Sequence, residues 1–174
     1  MDIKVLNNAF ELDYQQYLYN QCRNASYKIG WNDTSLVDTS NRVYFHCPLT
    51  KEILDSNKIE EKIRNTEFGE YLQNYETVNG VVNCSRPGET YFSHSHKDDE
   101  IIVLYYPNLR WNKEWGGETM FYHKNTGELI YASEYISNRL LLFKASIPHS
   151  VRAPVYISDQ FRFTIAVLFK LNKK

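Results

Sequence analysis

The amino-acid sequence predicts a mainly β protein with helices at its N-terminus, an α+β chain, and three observations carry that reading. Helical periodicity is confined to the first part of the 174 residues, up to about residue 76. From Thr77 onward, short runs of β-branched and aromatic residues alternate with turn signals. Aromatic residues make up 15% of the chain, with 14 tyrosines, a composition that suits pleated surfaces.

The elements follow in order. In 13–23, Tyr14, Leu18 and Cys22 recur every four residues, as on one face of an amphipathic helix. After Pro48, the stretch 51–65 carries Ile53, Leu54, Ile59 and Ile63 among many charges and reads as a second helix; Phe68, Tyr71 and Leu72 suggest a third, short one. Strands are expected at 77–85, 101–106, 118–122, 129–132, 139–143, 149–153 and 162–169. Asn79-Gly80, Pro87-Gly88, Pro107-Asn108, Gly116-Gly117, Asn125-Thr126-Gly127 and Pro154 punctuate them. That many short strands after a helical portion imply a double-stranded β-helix, a jelly-roll barrel backed by helices. No repeat or linker divides the chain, so 1–174 reads as one domain, with 1–76 as helical support and lid and 77–170 as the jelly-roll core. The segments 24–44 and 107–115 read as lids over the barrel mouth.

Composition narrows the function. Twenty basic and twenty-one acidic residues leave a net charge of −1, so no basic field points to nucleic acid. No apolar run approaches the roughly 20 residues of a membrane span, and the opening MDIKVLNNAF lacks a signal-peptide core. A cytoplasmic, reducing setting is therefore expected. Cys22, Cys47 and Cys84 are odd in number and form no CxxC pair, which supports neither a disulfide framework nor a zinc knuckle.

The chemistry concentrates in Phe92-Ser93-His94-Ser95-His96-Lys97-Asp98-Asp99-Glu100. In an extended chain, residues i and i+2 share a face, so His96 and Asp98 can converge on one point, with His94 and Glu100 candidates for the same face. One imidazole and one carboxylate are two thirds of the 2-His-1-carboxylate set that holds non-haem iron; His149, at the start of a late strand, is the natural third. Arg162 is a charge on a strand whose other face presents Phe161, Phe163, Ile165, Val167 and Phe169. A buried guanidinium needs a partner and suits bidentate grip of a carboxylate, whereas an edge-strand Arg in water needs none.

Over about 82–170 these features resemble the Fe(II)- and 2-oxoglutarate-dependent oxygenases, in particular the prolyl-hydroxylase-like branch. The resemblance is carried by Arg86-Pro87-Gly88, His96-Lys97-Asp98, Tyr105-Tyr106-Pro107-Asn108, Trp115-Gly116-Gly117-Glu118, Pro148-His149-Ser150-Val151 and Arg162-Phe163-Thr164-Ile165, in that order. The opening Val5 to Phe10, followed by a helix, is also similar. The resemblance implies that His96, Asp98 and His149 bind Fe(II). It implies that Arg162 binds the distal carboxylate of 2-oxoglutarate, helped by Tyr106 and Thr164, with Leu104 on the matching strand beside the cosubstrate. The reaction implied is hydroxylation of an unactivated carbon by O2, on a small-molecule or peptidyl substrate with proline first, with 2-oxoglutarate decarboxylated to succinate. Arg162 follows His149 by thirteen residues, longer than this branch usually shows, so 152–160 must hold a longer turn.

Two other readings stay open at this level. A cupin, another double-stranded barrel, would use His94, His96, Glu100 and His149 as ligands, as a metal enzyme or a sugar-binding module. A jelly roll without catalysis would bind through an aromatic platform of Trp111, Trp115, Tyr91 and Phe92.

Overall fold

A computed structural model describes residues 3–30, 44–89 and 91–172. Ten strands and three α-helices follow in the order β1 (Ile3–Leu6), α1 (Leu12–Asn24), β2 (Lys28–Ile29), β3 (Phe45–Leu49), α2 (Lys51–Ser56), α3 (Ile59–Arg64), β4 (Tyr75–Ser85), β5 (Glu100–Tyr106), β6 (Thr119–Tyr122), β7 (Leu129–Ser133), β8 (Arg139–Lys144), β9 (His149–Val151) and β10 (Arg162–Leu171). Short 3₁₀ turns occupy Glu67–Leu72 and Lys113–Trp115. All seven strands expected after residue 76 are present, most within two residues of the expected ends.

The strands form an antiparallel seven-stranded sheet in the order β1-β8-β5-β10-β4-β3-β2 and an antiparallel three-stranded sheet in the order β7-β6-β9. The first 76 residues thus do more than support the barrel, because β1 pairs with β8 and β3 with β4 inside the main sheet. These strands are short and flanked by helices, which hides their alternation in the sequence.

Alternation along the central strands builds two cores. One face of β5 and β10 sends Val103, Tyr105, Phe163, Ile165, Val167 and Phe169 against Leu18 and Cys22 of α1 and Leu54, Ile59 and Ile63 of α2 and α3. The other face of β5 and β8 sends Ile102, Leu104, Tyr106, Leu141 and Phe143 against Phe121 and Tyr135, between the two sheets. Both faces of β5 are therefore buried along its whole length. The expected helix 51–65 is broken in two. Lys58 takes a left-handed φ of 56°, and the Asn57 amide closes α2 by donating to the Ile53 carbonyl at 2.8 Å. The helical period of Leu54, Ile59 and Ile63 survives the break because all three still reach the same core.

Leu140 is fully buried on β8, between β1 and β5. Leu140→Ala should cost about 2–5 kcal/mol, read as a lowered midpoint in urea unfolding with an unchanged slope.

Candidate functional site

The seam between the sheets holds the site. His94 sits in an isolated antiparallel bridge with His149, each backbone N–H donating to the other's carbonyl at 3.0 and 2.9 Å. Two residues on, the backbone N–H of His96 donates to the carbonyl of Ala145 at 2.8 Å. This pairing keeps the segment extended, so His94 and His96 share a face and both look toward His149. The three rings lie with centroids 4.4 Å (His94–His149), 5.2 Å (His94–His96) and 5.8 Å (His96–His149) apart. One nitrogen from each lies within 4.8 Å of the other two, a spacing that suits one metal ion.

Asp98 does not join them. The extended run ends at Lys97, where the Glu100 N–H donates back to the Lys97 carbonyl at 3.3 Å and turns the chain through Asp98 and Asp99. The Asp98 carboxylate is 82% exposed and lies 3.9 Å from the Lys124 ammonium. Glu100, the cupin ligand, is buried within the same turn and accepts from the Lys97 N–H at 3.2 Å. The i, i+2 pattern thus holds for His94 and His96 and stops one residue before it would carry Asp98 inward.

The tautomers favour coordination through Nε2. Nδ1–H of His149 donates to the Ile147 carbonyl at 2.8 Å, and Nδ1–H of His94 faces the Phe92 carbonyl at 3.4 Å. Burial, reinforced by the neighbouring His94 and His96, lowers the pKa of His149 from 6.5 to about 3, against the raising effect of the Ile147 carbonyl. Its imidazole is therefore neutral, with a free lone pair, across the physiological range.

A cavity of about 360 Å³ opens from the histidines; Leu104, Thr119, Thr164 and Arg162 are among its lining residues. Arg162 is fully buried on β10. Its Nε donates to the Gly117 carbonyl at 2.7 Å and its Nη2 to Thr119 Oγ1 at 3.1 Å, while the guanidinium lies 5.4 Å from the Tyr106 ring and 5.0 Å from that of Tyr135. Nη1 is buried with no hydrogen-bond partner, and no carboxylate pairs with Arg162 among the described residues. Gly116-Gly117 explains itself here. Gly117, at φ 88°, is wedged so tightly that a Cβ would lie 3.1 Å from the Trp111 ring and 3.2 Å from Arg162 Cδ.

Tyr106 is fully buried but does not line the cavity; its hydroxyl is 2.6 Å from Thr119 Oγ1, so it braces Thr119. Thr119 was not singled out in the sequence. The signal lay in its spacing, since Thr119 and Phe121 alternate inward on β6 while Met120 and Tyr122 stay half-exposed. Thr119 faces Val151 and Phe121 faces His149 across the β6–β9 ladder. The Arg162–Thr119 pair is therefore displaced from the His149 row by two residues, roughly 7 Å of strand. The long interval before Arg162 is stitched down by Gly88 N–H to the Pro154 carbonyl (3.0 Å) and Val155 N–H to the Trp115 carbonyl (2.9 Å).

The remaining residues sort simply. Tyr91 and Phe92 line the cavity, and Tyr91 stacks on Tyr44 at 5.1 Å. Trp111 and Trp115 pack edge-to-face at 5.3 Å, with Trp111 also 4.6 Å from Tyr135, so they buttress the Arg162 seat more than they form a platform. His46, which carried no role in the sequence reading, lies on β3 opposite Asn83 and lines the cavity beside Asn83 and Thr164. His123 is exposed and bonded to Thr126. Of the expected lid 24–44, residues 31–43 lie outside the described residues; the other expected lid, 107–115, ends in the 3₁₀ turn Lys113–Trp115.

No protein-family model and no curated protein matches the sequence. Solved structures do. A prolyl hydroxylase from Trichoplax adhaerens, in complex with a hypoxia inducible factor oxygen degradation domain peptide fragment, superposes with a TM-score of 0.69 at 18% identity, over 97% of this chain and 83% of that one. A Pseudomonas putida prolyl-4-hydroxylase gives 0.70 at 15% identity, over 98% and 93%. HygX from Streptomyces hygroscopicus, with nickel and 2-oxoglutarate bound, gives 0.70 at 8% identity, over 98% and 83%. The fold is that of the 2-oxoglutarate oxygenases. This chain keeps the jelly roll while placing His94 and His96, in place of His96 and Asp98, beside His149.

The pKa of His149 sets a pH dependence. Above pH 6.5 neither folded nor unfolded chain is protonated there; below it the unfolded chain takes up the proton first, so stability falls from about 6.5 down toward 3. Each pH unit in that window should remove up to about 1.4 kcal/mol. Urea unfolding in chelator between pH 7 and 4.5 should show a steeper loss for wild type than for His149→Gln; equal slopes would mean His149 is charged in the fold.

Proposed function

We propose that this protein is an Fe(II)- and 2-oxoglutarate-dependent oxygenase that uses O2 to hydroxylate an unactivated carbon of a small-molecule or peptidyl substrate, a prolyl group first, and converts 2-oxoglutarate to succinate. The observation that carries this reading is the buried Arg162 Nη1, unsatisfied on the wall of the cavity that the three histidines enter. A buried cation lacking an acid partner costs on the order of several kcal/mol unless an anion reaches it. Its separation from the His149 row suits a five-carbon diacid held at both ends.

The residues fit the group. The three imidazoles would occupy one side of the ion and leave the opposite side to ligands. Iron so held supplies the activation of dioxygen and of the keto acid. The chain does the rest. The Ile147 carbonyl fixes the ring of His149, Arg162 and Thr119 receive the distal carboxylate, and Leu104 and Phe143 exclude water alongside. The Thr164, Asn83 and His46 side chains, aligned across β10, β4 and β3, offer neutral hydrogen-bonding groups to a primary substrate. Among the solved neighbours, one holds a peptide fragment and another 2-oxoglutarate with a metal, which supports both halves of the assignment.

Anaerobic protein mixed with ferrous iron and 2-oxoglutarate should develop the visible absorption band of a chelated keto acid. Arg162→Met should weaken 2-oxoglutarate binding by about 2–5 kcal/mol, at least thirtyfold, and leave metal affinity unchanged in calorimetry. A wild-type protein that shows no band, or an Arg162→Met protein that binds 2-oxoglutarate normally, refutes the assignment.

A further inference from the structure

We infer that the metal centre is a three-imidazole site in which His96 stands where a carboxylate would otherwise sit, and that it favours a borderline divalent ion over a hard one more strongly than a carboxylate-bearing site would. The inference rests on the proposed metal site for its location but not on the oxygenase reaction.

The backbone decides which side chains converge. His94 is locked opposite His149 by a reciprocal pair of backbone hydrogen bonds, and His96 is held two residues further on by Ala145. The three rings meet, and no Asp or Glu oxygen belongs to their group among the described residues. Three acids among the described residues are directed elsewhere. Asp98 faces Lys124 in solvent, and Glu100 caps its own turn. Glu89 is held 2.7 Å from Arg86 and receives the Tyr91 hydroxyl.

Ligand chemistry supplies the consequence. Imidazole nitrogens suit iron, cobalt, nickel and zinc, whereas carboxylate oxygens favour manganese and magnesium. Exchanging one carboxylate for an imidazole therefore weakens the hard ions most. Divalent ions already follow the order manganese, iron, cobalt, nickel in affinity at most sites. The informative quantity is the ratio of cobalt to manganese affinity and its change on substitution.

The test uses the whole chain, with Co2+ and Mn2+ themselves as probes, titrated in calorimetry without cosubstrate. His94→Ala should lose Co2+ affinity at least tenfold, and Asp98→Asn should stay within twofold of wild type for both ions. His96→Asp should lower the cobalt-to-manganese ratio at least tenfold. An unchanged ratio in His96→Asp overturns the inference, as does a tenfold loss in Asp98→Asn. X-ray absorption of the cobalt-loaded wild type, which needs no variant to fold, should count three imidazoles; a count of two with one carboxylate also overturns it. A wild type that binds neither ion would remove the metal-dependent function proposed above as well. Normal metal binding with a carboxylate in the ligand shell defeats this inference alone.

Discussion

A guanidinium enclosed between two sheets, with no counter-charge among the described residues, is the constraint on which the rest of this structure depends. Arg162 has no access to solvent, and its nearest groups are a carbonyl, a hydroxyl and two tyrosine rings. Those contacts satisfy part of its hydrogen-bonding capacity and, through the two rings, only part of its charge. Several otherwise unrelated features follow from seating it. Gly117 must lack a side chain, Trp111 must close the outer wall, and Tyr135 and Tyr106 must stack at 4.4 Å to flank the cation. On the function proposed above, a ligand carboxylate would complete this unsatisfied group.

The opposite face of the same strand shows why the site is rigid. Phe163, Ile165, Val167 and Phe169 alternate with Arg162, Thr164, Ala166 and Leu168, so β10 presents a helix-facing core and a cavity wall at once. Its neighbours β4 and β5 pair with it along most of its length. Site groups carried on a doubly buried central strand have little room to drift, which suits pre-organised binding.

Much of this was legible in the residues. The two periods, near four in α1 and two in β10, each report one buried face, and burial is what the pattern measures. The helix–strand division blurred where strands were too short to alternate, as in β2 and β3. At the site, the approach of His96 and His149 was readable from type and spacing, whereas the same signals left the burial of Arg162 open. The third member of the histidine group was not readable. Choosing between His94 and Asp98 requires knowing where an extended run ends, and that depends on Ala145 and His149 pairing with 94–96 from far along the chain. Thr119 escaped for a related reason, since a single hydroxyl on a four-residue strand gains meaning only when Arg162 and Tyr106 arrive from other strands.

The bridge between His94 and His149 has a mechanical side. His94 lies on the segment that leads into the large sheet through β5, and His149 belongs to the small sheet through β9. An ion gripped by both would act as a rivet across the seam, fastening the two layers at a point where the backbone alone provides few stitches. With all three cysteines unpaired, such coordination would supply a clamp that no disulfide provides among the described residues.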